Sequence, residues 1–404
     1  MGRPDQLTEL GEDFAQRSHE LEALLREQGP VRPARLPRGL RVWVVSRYAE
    51  ARALLTDTRL SKDSGQVARL FTQVSATGVQ GGFAQSLGTH MLNMDPPDHT
   101  RVRKLINKAF TARSVARMRS RIEEITAQLL DELGTGDEVD LLAGFAGPLP
   151  ITVICELLGV REEDRHEFAV WSGVLVSSAP ATEVQESARL MYAYLSGLIA
   201  EKRENPGENL LSDLVHATDE GDSLSEAELV SMAFLLLVAG HETTVNLIGN
   251  AVLALLREPA QLAALRADPA LLPGAVEEFL RYDGPVHLAT LRFTTEPLEV
   301  GDVTIPVGQF VLISLLGANR DPARFPDPDR LDVTRPASGH LAFGHGIHHC
   351  VGAPLARLEA EIALGALITR FPALTLTADP ETLRWRASTL MHGLETLPVR
   401  LRCP

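Results

Sequence analysis

Apolar residues recur at intervals of three and four along most of the chain, the spacing that gives a helix one buried face. That pattern predicts helices over 18–28, 48–56, 114–134, 149–159, 186–203 and 353–370. Strand-like runs are fewer. Residues 41–45 read as one strand, and 298–307 as two short strands around the Gly301-Asp302 turn. Two stretches are poorly patterned. Residues 62–97 contain Gly65, Gly78, Gly81, Gly82 and Gly88 and end at Asp95-Pro-Pro97, from which a helix starts. A long irregular stretch inside a compact protein often serves a function. The other is 168–183, which holds Ser177-Ser-Ala-Pro180. The expected fold class is therefore mainly α, with small β-sheets.

The longest periodic segment is 225–257. It opens on Ser225 with Glu228 three residues on, a capping box. A helix of this length runs about 50 Å, enough to cross a domain. Its most apolar part is interrupted by Ala239-Gly240-His241-Glu242-Thr243-Thr244. Gly240 costs about 1 kcal/mol relative to alanine in a helix. Thr243 is placed to hydrogen-bond back to the Ala239 carbonyl and bend the axis. This is either a poor stretch of a buried helix or a groove for a diatomic ligand. A zinc-protease motif is excluded, because Val245 stands where a second histidine is needed.

The chain has 404 residues, 45% of them hydrophobic, and no Gly/Ser linker or low-complexity stretch divides it. One domain spanning 1–404 is expected. Three widely spaced cysteines fit a reducing cytoplasm better than a disulfide framework. The first residues are polar, with no signal-like segment, and no apolar run reaches membrane-spanning length. A net charge of −14 disfavours general nucleic-acid binding. Yet Arg101, Arg103, Lys104, Lys108, Arg113, Arg117, Arg119 and Arg121 follow one another with no acid among them. That run is a solvated helix face or a local basic docking surface.

The chemistry concentrates in Phe343-Gly-His-Gly-Ile-His-His-Cys350-Val-Gly352. Gly346 permits a tight positive-φ turn. Gly352 lets backbone approach a large flat ligand. A helix begins at Ala353, so Cys350 sits just before its N-terminus, where free N–H groups favour a thiolate. A fixed thiolate under a planar cofactor suits haem iron. A zinc cluster of His345, His348, His349 and Cys350 is the other reading of these residues, but structural zinc usually takes two separated ligand pairs and no second pair is evident. Cys155, in an apolar run, and Cys403, in the tail, read as ordinary apolar positions.

The pattern Phe343-x-x-Gly346-x-x-x-Cys350-x-Gly352 resembles the haem-binding signature of the cytochromes P-450, specifically the soluble bacterial haem-thiolate monooxygenases. Three more elements match in the same order: Ala239-Gly240-x-Glu242-Thr243, Glu278-x-x-Arg281, and Phe325-Pro-Asp-Pro-Asp-Arg330. The resemblance implies a large helical domain with haem b between the long central helix and the cysteine loop. It implies Cys350 as the iron ligand, with Phe343, Gly344, His348 and Gly352 about the haem. His99, Arg103 and Arg292 would contact the propionates. Glu242 and Thr243 would be catalytic, delivering protons to the dioxygen being reduced. Glu278, Arg281 and Arg330 would form a structural lock. The substrate pocket would draw on Leu92, Val176, Leu235, Ala239, Val286, His287, Leu288, Ala289, Thr389 and Leu390, with His287 orienting a substrate oxygen. A mobile lid would fall within 168–183.

The resemblance also implies O2 as co-substrate. Electrons would come from NAD(P)H through a separate ferredoxin and ferredoxin reductase, because the chain has no flavin domain. The ferredoxin would dock on the basic 101–121 stretch. The loop wording, followed by Ala353-Pro-Leu-Ala-Arg357, resembles actinobacterial members that oxidise macrolides, other polyketides and steroid-like compounds. Hydroxylation or epoxidation of a lipophilic secondary metabolite is thus the expected reaction, in the cytoplasm and without a membrane anchor. Two other readings are a peroxide-driven peroxygenase and a non-catalytic haem-binding protein.

Overall fold

The computed structural model describes residues 7–37, 39–74, 87–134, 137–176, 180–219 and 221–402. Helices dominate. Those that position the site are α1 (Ser18–Gln28), α2 (Asp98–Ala109), α3 (Glu226–Arg257), α4 (Leu272–Asp283) and α5 (Ala353–Arg370). The capping box at the head of α3 forms: Ser225 accepts from the Glu228 N–H, and the Glu228 side chain returns to the Ser225 N–H. This helix packs against α4, α5 and the helices Pro148–Leu158 and Ala181–Glu204. It is long and apolar enough to cross a membrane, yet 72% of its most apolar stretch is buried inside the protein. Its apolar surface is therefore spent on the core.

A six-stranded sheet flanks the helices. It contains β1 (Thr8–Glu9), β2 (Val31–Arg35), β3 (Arg41–Val45), β4 (Leu60–Ser61), β5 (Arg292–Thr294) and β6 (Phe310–Ile313), in the order β1-β2-β3-β6-β5-β4. The 1–2 and 3–6 pairs are parallel and the rest antiparallel. The 298–307 stretch is a separate antiparallel pair with Val300 opposite Val303. Two weakly patterned stretches hold more helix than expected. Ser64–Val74 is helical, and 168–183 is mostly taken up by the helices Arg165–Val176 and Ala181–Glu204. The centre of the expected lid, 177–179, and Gly78, Gly81 and Gly82 lie outside the described residues. So does Cys403.

α4 is fastened by a buried ion pair. Glu278 and Arg281, both without exposed surface, meet through two bonds of 2.7 and 2.9 Å. Arg281 also donates to the Asn319 and Pro328 carbonyls. The third member is Arg335, which donates through Nε to Glu278 at 3.2 Å. Arg330 lends only its carbonyl, and its side chain is exposed, which corrects the expectation that its guanidinium closes the lock. The reason is reach: Asp327, at φ 47°, turns the chain so that Arg330 points outward and Arg335 returns beneath α4. We predict that Arg335→Ala costs about 3 kcal/mol, as breaking a buried pair does. Arg330→Ala should cost under about 0.5 kcal/mol. Urea unfolding of both variants checks this.

Candidate active site

Within buried α3, the residues Val238, Ala239, Gly240 and Thr243 are accessible while their neighbours on both sides are not. A helix enclosed by protein shows such a stretch only where it borders an internal opening. Thr243 Oγ1 donates to the Ala239 carbonyl at 2.8 Å, the bond its spacing predicted. Gly240 serves packing as well as the groove. A Cβ there would come within 3.0 Å of Ile154 on the adjacent helix.

α5 packs against α3, and the cysteine loop leads into its N-terminus. The loop is braced along its length. Leu341 N–H donates to Asn319 Oδ1 at 2.6 Å, Gly344 N–H to Leu341 O at 2.8 Å, and Cys350 N–H to Phe343 O at 2.9 Å. Gly344 and Gly346 both take positive φ, 72° and 77°. At Gly346 a Cβ would also strike Thr56 at 2.6 Å, so no other residue fits. Phe343 lies under the Arg357 guanidinium at 4.5 Å, and Arg357 is paired with Glu277 at 2.6 and 2.9 Å. With His340 also bonded to it, the Glu277 carboxyl is held down to about 2 against its burial.

Cys350 keeps accessible surface yet is largely enclosed by protein. Burial pushes its thiol up. The N–H groups of Gly352 and Ala353 and the charges of Arg103 and Arg357 pull against that without overcoming it. The helix start therefore assists ionisation of the sulfur, but does not by itself secure it. Haem iron, when bound, would supply the missing positive charge at the sulfur. The loop histidines do not join Cys350 as a metal cluster. Among the described residues, three donor atoms converge only at His19, Asp283 and His392.

Beside the loop lies a concentration of buried nitrogen groups. His99 and His348 stand with ring centroids 4.4 Å apart. Both His99 ring nitrogens and His348 Nδ1 are buried without partners. Lys62, Arg292 and Arg103 repel the His348 imidazolium, and burial with this repulsion depresses it to about 2. Arg292 is pushed down to about 10 by burial, and Lys62 is pushed far below its usual range by burial and Arg292. His90, its Nδ1 also orphaned, is lowered to about 4 by burial and Lys62. Among the described residues, the acid acting on Lys62 and Arg292 is Asp95. Such a cluster is costly unless anions complete it. The two carboxylates of haem, next to a cysteine in a glycine-shaped loop, fit this donor set.

The expected cofactor residues thus gather here, with Arg103 also donating to the His349 carbonyl at 2.9 Å. Lys62 and His90 were not anticipated. A lysine at a strand end reads as surface, and nothing local marks it as 2% exposed. The pocket expectations divide. Leu92, Ala239, Val286, Thr389 and Leu390 keep accessible surface, and Leu235 and Ala289 sit at its edge with 9%. The Val176 side chain lies outside the described residues. His287 and Leu288 are corrections. His287 is fully buried, bonded to Glu22 at 2.9 Å and stacked on Phe14 at 4.4 Å. Leu288 belongs to the apolar cluster with Phe14 and Leu25. The 285–289 strip turns these side chains toward α1, away from the groove.

A cysteine loop that leads into a helix packed on α3, beside buried nitrogen groups short of anions, is the arrangement expected of a haem-thiolate enzyme. The family profile for cytochromes P-450 matches residues 181–396, and the chain belongs to that family. It is 54% identical over 401 residues to cytochrome P-450 107B1 of Saccharopolyspora erythraea, covering 99% of this chain and 98% of the relative. It is 47% identical over 392 residues to 6-deoxyerythronolide B hydroxylase from the same organism, covering 94% and 95%. The tirandamycin C-bound P-450 monooxygenase TamI superposes with TM-score 0.91 at 51% identity, over 98% of this chain and 100% of that one. The protein is a monooxygenase that carries haem iron and uses O2 with electrons from NAD(P)H delivered through redox partners.

Because Lys62 is buried against Arg292 with the neutral Thr290 hydroxyl as its hydrogen-bond partner, its replacement reports on the anion site. Lys62→Met should speed haem loss about tenfold or more, the worth of a charge-assisted hydrogen bond. Transfer of haem to an apoglobin acceptor measures it.

Proposed function

We propose that the groove takes a large lipophilic secondary metabolite of the macrolide or polyketide class and that the reaction is hydroxylation or epoxidation. The carrying observation is the lining: apart from Thr389, the groove candidates that keep surface are apolar (Leu92, Ala239, Val286, Leu390), so shape and apolar contact select the substrate. The high identity to 6-deoxyerythronolide B hydroxylase supports the class. A spectral titration with 6-deoxyerythronolide B and smaller macrolactones tests it. Failure of every macrolactone, with binding of fatty acids instead, overturns the class.

Haem, when bound, supplies the activation of O2. Cys350, Phe343, Gly344 and Gly352 would hold it from the loop side. His99, Arg103, Arg292 and His348, with Lys62 and His90, would hold its carboxylates. Thr243 presents a hydroxyl at the groove, and Glu242 is the buried acid next to it in sequence. In this reading Glu242 brings protons in and Thr243 hands them into the groove. A relay is needed because apolar walls offer no exchangeable proton. A peroxygenase would need no such pair.

The expected basic run is largely neutralised within the protein. Arg101 pairs with Asp222 and Glu228, Lys104 and Lys108 with Asp219, Arg119 with Glu123 and Glu361, and Arg121 with Glu124 and Glu156. Arg113 and Arg117 remain exposed. A cavity of about 560 Å³ beside the cysteine loop, lined by Arg52, Arg324 and Arg357 among others, offers the ferredoxin a more direct approach. We therefore place docking around this cavity rather than along 101–121 as a block.

Two outcomes are expected. Thr243→Ala should leave NADPH consumption within a few-fold of wild type while most electrons appear as hydrogen peroxide. Peroxide release beside product quantifies this, and full coupling in the variant removes the threonine role. Arg52→Glu should raise the apparent KM for ferredoxin several-fold at low salt and leave peroxide-supported turnover unchanged. Equal loss in both assays would place Arg52 in folding rather than docking.

A further inference from the structure

Three donor groups from distant parts of the chain converge away from the cysteine loop. His19 lies in the first turn of α1, Asp283 ends α4, and His392 belongs to the 388–392 tip that carries Thr389 and Leu390. Their ligand atoms, two imidazole nitrogens and one carboxylate oxygen, all lie within 4.8 Å of one another. Both rings meet the same oxygen: His19 Nε2 and His392 Nε2 each stand 2.8 Å from Asp283 Oδ1. The His392 ring is held flat against Trp385, with centroids 4.1 Å apart. His392 and Asp283 are buried, while the His19 side chain keeps 34% of its surface and opens the cluster to solvent.

Hydrogen bonds alone leave this cluster with loose ends. With Asp283 Oδ1 as the shared acceptor, each ring carries its proton on Nε2. His19 Nδ1 is then a lone pair, and it is buried with no partner. Glu22 stands three residues on, along the same face of α1. Its Oε1 is bonded to His287 Nε2 at 2.9 Å, but its Oε2 is buried with no partner. Two acceptors cannot satisfy each other. A metal ion on the three convergent atoms changes the arrangement. Each ring would give its Nε2 lone pair to the ion and carry its proton on Nδ1, so the cluster neither gains nor loses a proton. His19 would then hold a donor three residues from the acceptor that lacks one. A carboxylate behind a ligating histidine is the usual way a metal site fixes ring orientation.

We propose that His19, Asp283 and His392 form a binding site for a divalent transition ion of the zinc class, which clamps α1 to the wall of the groove. Two imidazoles and a carboxylate are a set that zinc accepts with water as the fourth ligand, and the accessible edge at His19 admits that water. The two nitrogens select against magnesium and calcium, which prefer oxygen. Zinc bonds of about 2.0–2.2 Å place neighbouring donors about 3.3 Å apart. The two 2.8 Å contacts therefore need to open by only about 0.5 Å, which His19 can supply from the exposed side. Charge favours a cation, with Asp283 in the cluster and Glu22 behind it. Arg320, a cation acting on His19, is already engaged with Asp329 at 3.0 Å and the Tyr282 carbonyl at 2.7 Å. One ion would thus join the first helix, the end of α4 and the tip that bears two groove residues.

The test uses the full-length, haem-loaded protein, freed of loose metal with a chelator that leaves haem in place. Calorimetric titration with zinc chloride should show one ion retained per chain at micromolar concentration. His19→Gln, a change at the exposed ligand, should weaken binding at least about tenfold, and Glu22→Gln about tenfold, as loss of an outer partner does. X-ray absorption at the zinc edge of the wild type should show two imidazole nitrogens and a carboxylate oxygen at about 2.0–2.2 Å. Amide exchange should slow with zinc in α1 and in 388–392, and not in 101–121. No zinc retained at micromolar concentration, or undiminished affinity in either variant, overturns the proposal. An absorption spectrum without the imidazole pair overturns it too, and that measurement needs no variant to fold.

Discussion

A carboxylate with no exposed surface keeps its charge only if cations and N–H groups replace all of its lost water. Glu278 is in that position, and its partners are spread along the chain: Arg281 on its own helix, Arg335, and the Asp332 N–H at 3.1 Å. Arg281 in turn gathers the carbonyls of Asn319 and Pro328. The segment from 319 to 335 is thereby pressed against α4. Asn319 then receives the Leu341 N–H, from which the cysteine loop descends through Gly344 and Phe343 to Cys350. The position of one sulfur is inherited, bond by bond, from a buried ion pair that lies outside the cysteine loop.

The groups around the groove are sorted by how burial and neighbours combine. For the Cys350 thiol burial prevails, and four favourable neighbours do not reverse it. For Glu242 the neighbours prevail. For Lys62 burial and a like charge act together. One protein thus holds a thiol pushed up, a carboxyl held down and buried cations short of anions, within one set of packed elements. Uniform polarity could not do this; each balance depends on which groups stand within a few ångströms.

Much of this was legible in the sequence where the cause was local. The capping box at Ser225, the Thr243 back-bond and the positive φ at Gly346 depend on residues within four positions, and each formed. What failed depended on distant partners. His287 reads as a polar group at a pocket edge, but its partner Glu22 lies 265 residues away. Arg330 matches the right segment by position, yet a turn at Asp327 hands the contact to Arg335. The basic run from 101 has no acid of its own, and its charges are met by Asp219, Asp222, Glu228 and Glu156 from other elements. Lys62 and His90 could not be found at all, because burial is the property that makes them functional candidates and burial is not written in their neighbours.

The wall of the groove is held from the opposite end of the chain. His19 and His392 both bond Asp283 at 2.8 Å, and Glu22 bonds His287, so α1 is tied to the 285–289 strip and to the 388–392 tip. The backbone of these two strips is also joined directly, His287 N–H to the Leu390 carbonyl and His392 N–H to that of Pro285. Few of the residues that define this wall's placement would be chosen by looking into the pocket. When genes of this kind recombine, exchanging the first thirty codons exchanges a buttress of the binding chamber. Divergence in substrate range can then begin in a part of the chain that never meets a substrate.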